Sequence, residues 1–279
     1  MRSSAEQHLN QWHETHRIEE QGVVYFLKKF QPDSYEVRNE LSWLVSTMIK
    51  SCHNFGVPTV REASIKEGFI KMDFIEQGKE GRPLEEIIDY LVSAAVELHG
   101  LVRSHNPRLR TPVSKSEYGA FLKKYTTVRL DSLKGTPFEI PVEIEIWILE
   151  EISKLKNEYF NIVHRDMRAR HMLFGSGSDK PTLIDWEFAN ISDPAQDVAK
   201  MVYDATTHGY EKDKVLKRVL ESYAYLKGVS KDELEQHVRA FLPIIPLERS
   251  MSLVNRKPAG YEREVIRDLC FIRAIYEER

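Results

Sequence analysis

Cysteine is nearly absent from this chain: 279 residues hold two, Cys52 and Cys270. They lie far apart, with no C-x-x-C pair and no histidine at zinc-ligand spacing beside them, which excludes a disulfide framework and a structural zinc site. A reducing interior suits such a chain. Long apolar runs are missing too. A membrane-spanning helix needs about 18 or more consecutive apolar residues, and the N-terminal "MRSSAEQHLNQWHE" lacks the apolar core of a signal peptide. These absences read as a cytoplasmic protein with no membrane partner. Neither charge sign dominates. Forty Lys and Arg against 43 Asp and Glu leave a formal net charge of −3, which provides no electrostatic footprint for nucleic acid. Glycine does not occur before Gly22.

What is present is an ordinary globular composition, 42% hydrophobic and 30% charged, at a length that suits two domains or one large bilobal domain. "GVVYFLKKF" (22–30) is rich in β-branched and aromatic residues and predicts a strand. In "PDSYEVRNELSWLVSTM" the positions Val37, Leu41, Leu44, Val45 and Met48 keep a helical rhythm, with Asp33 and Glu36 spaced as a capping box and Glu40 left for another partner. Strand-like runs follow near "VPTVREAS" and "GFIKMDFIE". The polar "EQGKEGRP" marks a boundary, so that residues 1–77 and 78–279 form two lobes. Residues 83–102 predict an amphipathic helix and 104–141 a loop-rich passage. "PVEIEIWILEEISKL" is read as helix. From about 194 onward the chain is helical, with "KDELEQHVRAFLPII" as one helix and a last helix from about Tyr261. Strands gathered at the front and helices behind point to an α+β, two-lobed arrangement.

Two carboxylates stand out at strand-to-loop transitions, Asp166 in "NIVHRDMRARHMLF" and Asp185 in "LIDWE". The short runs "FNIV" and "MLF", the turn "GSGSDK" and the strand "PTLID" place them beside one another. One carboxylate can orient a hydroxyl and take its proton while the other holds a hard divalent cation, and Arg168 adds fixed positive charge where a phosphoryl group is transferred.

This ordered set resembles the protein-kinase-like superfamily, most closely the aminoglycoside phosphotransferase and choline kinase families. "HRDMRARH" is similar to their catalytic loop, "LIDWEFA" to their metal-binding segment and "DPAQDVAK" to the "DPxxDLA" that follows. Upstream, "VYFLKKF" resembles the strand with the nucleotide lysine, "VRNELSWL" the helix with its glutamate and "KMDFIEQG" the hinge. The resemblance implies a small β-rich N-lobe, here without a glycine-rich loop, and a larger helical C-lobe. It implies Asp166 as the catalytic carboxylate with Arg168 beside it. Lys28 would contact ATP phosphates, paired with Glu40, with Lys29 the competing choice. The backbones of Asp73 and Ile75 would bond adenine. Asp185 would bind magnesium, and His171, standing where the family has asparagine, would be the second metal ligand, with manganese as the alternative ion. Asp197 would brace the loop and His164 pack beneath it.

Only 12 residues separate Asp185 from Asp197, which leaves no room for the activation segment of a protein kinase. The expected activity is therefore ATP-dependent phosphorylation of a small-molecule hydroxyl. The absent glycine-rich loop and His171 keep a pseudokinase or nucleotide-binding scaffold as the alternative, with an atypical Ser/Thr protein kinase after it. The mixed charges of the tail, Arg249, Arg256, Lys257, Arg263 and Arg267 with Glu248, Glu262, Glu264 and Asp268, read as a solvated helix face.

Overall fold

A computed structural model describes residues 13–77, 82–101, 117–155, 161–175 and 180–279. The N-terminal "SSAEQHLNQW", positions 78–81 of the boundary segment, 104–116 of the loop passage and 176–179 of the "GSGSDK" turn lie outside them. In chain order the elements begin with β1 (His13–Glu20), β2 (Val23–Phe30), α1 (Tyr35–Leu44), α2 (Thr47–Lys50), β3 (Val60–Ser64), β4 (Phe69–Asp73) and α3 (Leu84–Leu98). They continue with α4 (Tyr118–Leu133), α5 (Val142–Ser153), β5 (Asn161–Val163), β6 (Met172–Leu173), β7 (Thr182–Leu183) and β8 (Asn190–Ser192). The last five are α6 (Ala195–Thr207), α7 (Lys212–Lys227), α8 (Lys231–Phe241), α9 (Ile244–Arg256) and α10 (Tyr261–Glu277). This is the expected α+β fold, a small N-terminal sheet and a larger helical part. The chain divides into two compact units, Met1–Val102 with His164–Asn190, and Arg103–Val163 with Ile191–Arg279.

The first unit is built on an antiparallel sheet of order β1-β2-β4-β3. Strand β1 is an addition to the sequence expectation: "HETHRIEE" has a single aliphatic residue, so it carries no apolar alternation to read. Gln21 and Gly22, at φ 52° and 78°, close the two-residue hairpin to β2 in the left-handed backbone such a turn demands. The register sets Thr15 opposite Lys28 and His13 opposite Phe30. At the far end of β2, Phe30 N–H donates to the Gly68 carbonyl at 2.7 Å, and a Cβ on Gly68 would come within 2.5 Å of the Phe30 carbonyl oxygen. Only glycine fits there.

Helix α1 is capped by Ser34, whose Oγ accepts from Val37 N–H, and not by an Asp33–Glu36 box; Asp33 instead binds Arg38 at 2.7 Å. The helix also stops at Leu44, leaving Val45 49% exposed, where a run to Met48 was expected. Its buried face is Val37, Glu40, Trp43 and Leu44. Asn39 Nδ2 donates to the carbonyls of Glu187 (2.7 Å) and Ala189 (2.9 Å), and Trp43 Nε1 to that of Ala189 (3.0 Å). These bonds pin α1 to the segment after Asp185. Trp186 stacks on Phe55 and meets Trp43 at a tilt, and all three rings are buried.

The second unit centres on α6, ten of whose thirteen residues are buried. Two expectations change in it. Residues 118–133 form a helix instead of loop, with Tyr118, Leu122, Thr126, Leu130 and Leu133 facing inward; Lys123, Lys124, Thr126 and Thr127 blur that stripe in sequence. The run 231–245 is two helices, because Pro243 has no N–H to continue α8 and instead opens α9. The charged tail is a solvated face only in part: Lys257, Glu262, Arg263 and Arg267 are exposed, but Arg249 and Asp268 turn inward. Asp268 is fully buried, accepts from Arg249 Nη1 at 2.8 and 2.9 Å and from the Tyr203 hydroxyl, while Arg249 also holds Glu264. Among the described residues no helix is long and apolar enough to cross a membrane.

Candidate active site

Backbone bonds bring the two carboxylate loops together. Strands β6 and β7 pair as Met172 with Leu183 and Leu173 with Thr182, and the Ile184 N–H donates to the His171 carbonyl at 3.0 Å. His164, fully buried against Trp186, completes the lacing. Its Nδ1 accepts the Asp166 N–H (3.3 Å), so its proton sits on Nε2 and is donated to the Ile184 carbonyl (3.0 Å). Arg165 at φ 66° and Asp185 at φ 70° both hold left-handed backbone that ordinary residues avoid. Strain of this kind, beside each key carboxylate, is characteristic of functional loops.

His171 stands between the carboxylates. Its Nδ1 donates to the Asp166 carbonyl oxygen at 2.8 Å and lies 3.4 Å from Asp166 Oδ2, while its Nε2 lies 3.3 Å from Asp185 Oδ2. Arg170 Nε donates to that Nε2 at 3.1 Å. With Nε2 accepting from Arg170, Nδ1 is the ring nitrogen that donates to the Asp166 carbonyl. Arg168 Nε donates to Asp166 Oδ1 at 2.6 Å, so Asp166, 5% exposed, is held from two sides.

Lys28 is the buried cation of the site, and Lys29 is exposed. The Lys28 ammonium meets Glu40 (2.6 Å), Asp185 (2.6 Å) and Glu187 (3.2 Å). Burial would depress its pKa, yet Asp185, Glu40 and Glu187 together hold it well above the ordinary lysine value. Three carboxylates on one ammonium leave excess negative charge. Accordingly Glu40 is pushed up to about 7, by burial first and by Asp185 and Glu187 against the pull of Lys28. For Asp185, burial opposes ionisation but Lys28 overrides it and keeps the carboxyl below the usual range.

A cavity of about 610 Å³ opens at this charged end. Lys28, Glu40, His171 and Asp185 line one side, and Phe26, Met72, Leu173 and Ile184 provide apolar walls. Asp73 and Ile75 line it also. The Asp73 N–H already donates to the Thr59 carbonyl (3.0 Å), and its carboxylate binds Arg61 at 2.6 and 2.8 Å. Asp166 and Arg168 do not line the cavity and adjoin it through His171. Asp197, in the first turn of α6, is fully buried.

Three further residues belong to the arrangement. Glu187 was legible as the second acid of "DWE", two positions beyond Asp185. His13, whose Nδ1 lies 3.0 Å from Glu187 Oε2, gave no signal because its strand was unreadable. Both atoms are buried without a hydrogen bond of proper geometry. Arg170, the third, lines the cavity. Two sets of grouped ligand atoms share Asp185: His13, Asp185 and Glu187, and Asp166, His171 and Asp185.

The sequence profile described as the phosphotransferase enzyme family matches residues 15–229. No curated protein sequence matches the chain. Among solved structures, the GDP and kanamycin complex of APH(2″)-IIIa superposes with a TM-score of 0.68 at 15% identity, covering 97% of this chain and 93% of that one. The macrolide 2′-phosphotransferase MphH from Brachybacterium faecium gives a TM-score of 0.65 at 15% identity, over 94% and 89%. At such identities the likeness is one of fold.

Proposed function

Because the chain belongs to the phosphotransferase enzyme family, and is thus a small-molecule kinase acting on an alcohol group, we propose that it transfers the terminal phosphate of ATP to a hydroxyl of a neutral or anionic metabolite such as a sugar. The observation that carries this reading is the seat of His171 between Asp166 and Asp185, at 3.4 and 3.3 Å, which holds the two carboxylates at one place. Asp166 orients the acceptor hydroxyl and takes its proton as the new bond forms; Arg168 fixes the carboxylate from the other side. Lys28, steadied by Glu40, engages the α and β phosphates. The apolar walls between Phe26 and Leu173 take the base, with Ile75 at its edge. A cytoplasmic setting suits a nucleotide-dependent reaction and the free thiols.

The residues fit a divalent cation. His171 Nε2 and Asp185 Oδ2 lie 3.3 Å apart, and a cation taking Nε2 would displace the Arg170 Nε that bonds it; Glu187 Oε2, 3.2 Å from Lys28 Nζ, is a further buried carboxylate oxygen beside them. Asp185 with His171 would hold magnesium, and the imidazole nitrogen makes manganese the competing ion. Such a cation, when bound, neutralises charge on the phosphates. The test is to incubate pooled hydroxyl compounds with ATP or GTP labelled on the terminal phosphate, with magnesium and with manganese. Labelled product that disappears in Asp166→Asn is expected; no labelled product from any pool with either metal overturns the reading.

A further inference from the structure

Building on the kinase reading, we propose that Arg170 is a phosphate-binding residue of this site and that its guanidinium engages the terminal phosphate of the nucleotide. Lys28 and Arg170 supply the lysine and arginine charge among the residues lining the cavity, and they differ in how that charge is spent. Lys28 is 3% exposed and enclosed by three carboxylates at 2.6, 2.6 and 3.2 Å, so its charge is already more than balanced. Arg170 is exposed. Its hydrogen bond runs from Nε to the imidazole of His171, and among the described residues it forms no ion pair with a carboxylate. An arginine in that position keeps its full positive charge, and the paired Nη groups of its planar fork match two phosphate oxygens at once.

Location decides which phosphate. Lys28 enters from the sheet, whereas Arg170 is carried by the loop that bears Asp166 and touches the ring joining Asp166 to Asp185. The phosphate nearest the attacking hydroxyl is the terminal one, which is transferred while ADP leaves. Charge at that phosphate is spread over its oxygens during transfer, and a fixed guanidinium there stabilises it without a proton being moved. Without a cation, His171 Nε2 holds the Arg170 Nε; a cation taking that nitrogen would release Nε and leave the whole fork available to phosphate.

Equilibrium titration with magnesium and either ADP or the non-hydrolysable β,γ-imido analogue of ATP tests the assignment. Arg170→Gln is expected to weaken the triphosphate analogue by about tenfold or more while leaving ADP within about twofold, and Arg170→Lys to recover part of the loss. Thermal melting of each variant without nucleotide is expected to match the wild type, since the side chain is exposed. Equal weakening of both nucleotides, or no change in either, overturns the role of Arg170 and leaves the kinase reading intact. Failure of the wild-type protein to bind either nucleotide overturns the kinase reading itself and the inference with it.

Discussion

Lys28 Nζ and Asp185 Oδ1 lie 2.6 Å apart although 157 positions separate them in the chain. The ammonium is the hub on which the sheet, helix α1 and the loop after β7 converge, and it pairs with Glu40, Asp185 and Glu187 together. Removing it leaves buried charge without a partner, which costs about 3–5 kcal/mol. Lys28→Met is therefore expected to lower the urea midpoint strongly and to abolish nucleotide binding. Glu40→Gln is expected to cost much less stability, because burial and its acidic neighbours have already pushed that carboxyl to about 7. Equal losses in the two variants would refute the hub.

Asp166 and Asp185 are expected to fail in different ways. Asp166→Asn keeps the shape of the loop and the bond from Arg168 but removes the base, so turnover should drop by about 10²–10⁴ while metal–nucleotide binding persists. Asp185→Ala removes the shared member of both ligand sets, and the rise in melting temperature produced by magnesium and ATP should vanish with it. A variant pair with the same profile in both assays would contradict the division of roles.

The two thiols should separate cleanly. Cys270 is exposed and Cys52 is buried, so a disulfide reagent at pH 8 is expected to titrate one thiol in the native protein and two after denaturation. Burial, then Glu97, pushes the Cys52 thiol up from 9.0 to about 12. The unfolded chain thus releases this proton near pH 9 and the folded chain only near 12. Between those values the native state binds more protons, so the Cys52 contribution is intact below pH 9 and stability falls as pH rises through the window. Cys52→Ala should flatten that alkaline fall, seen as a smaller drop in urea midpoint between pH 8 and 10.5. An unchanged drop would show that another group governs it.

The legible and the hidden parts of this molecule divide along physical lines. "HRDMRARH" and "LIDWEFA" could be read because chemistry that depends on local spacing is written locally, and the 172–183 hairpin joins them over a short distance. Lys28 could be placed within one residue, yet choosing it over Lys29 required the sheet register. Strand β1 stayed hidden because it pairs through its backbone while showing polar side chains, and with it went His13. Helix α4 hid its inward stripe among lysines and threonines. Arg170 was visible only as one more arginine until its exposure and its hold on His171 were known.

The charged tail is the clearest case of long-range structure overruling a local pattern, and it carries the last prediction. Arg249 on α9 and Asp268 on α10 face each other at 2.8 Å, with Asp268 fully buried and also bonded to the Tyr203 hydroxyl on α6. Burial raises the Asp268 carboxyl above its ordinary value in spite of Arg249, so the pair is held together at a desolvation cost. Breaking it from one side strands a charge. Arg249→Met is expected to destabilise the protein by about 3–5 kcal/mol, whereas Arg249→Met combined with Asp268→Leu should recover most of that loss, because an apolar pair needs no counter-ion. Chemical denaturation of the two single variants and the double variant measures the coupling directly. Losses that simply add would mean that the two side chains act independently, and that the three helices are joined by their apolar contacts alone.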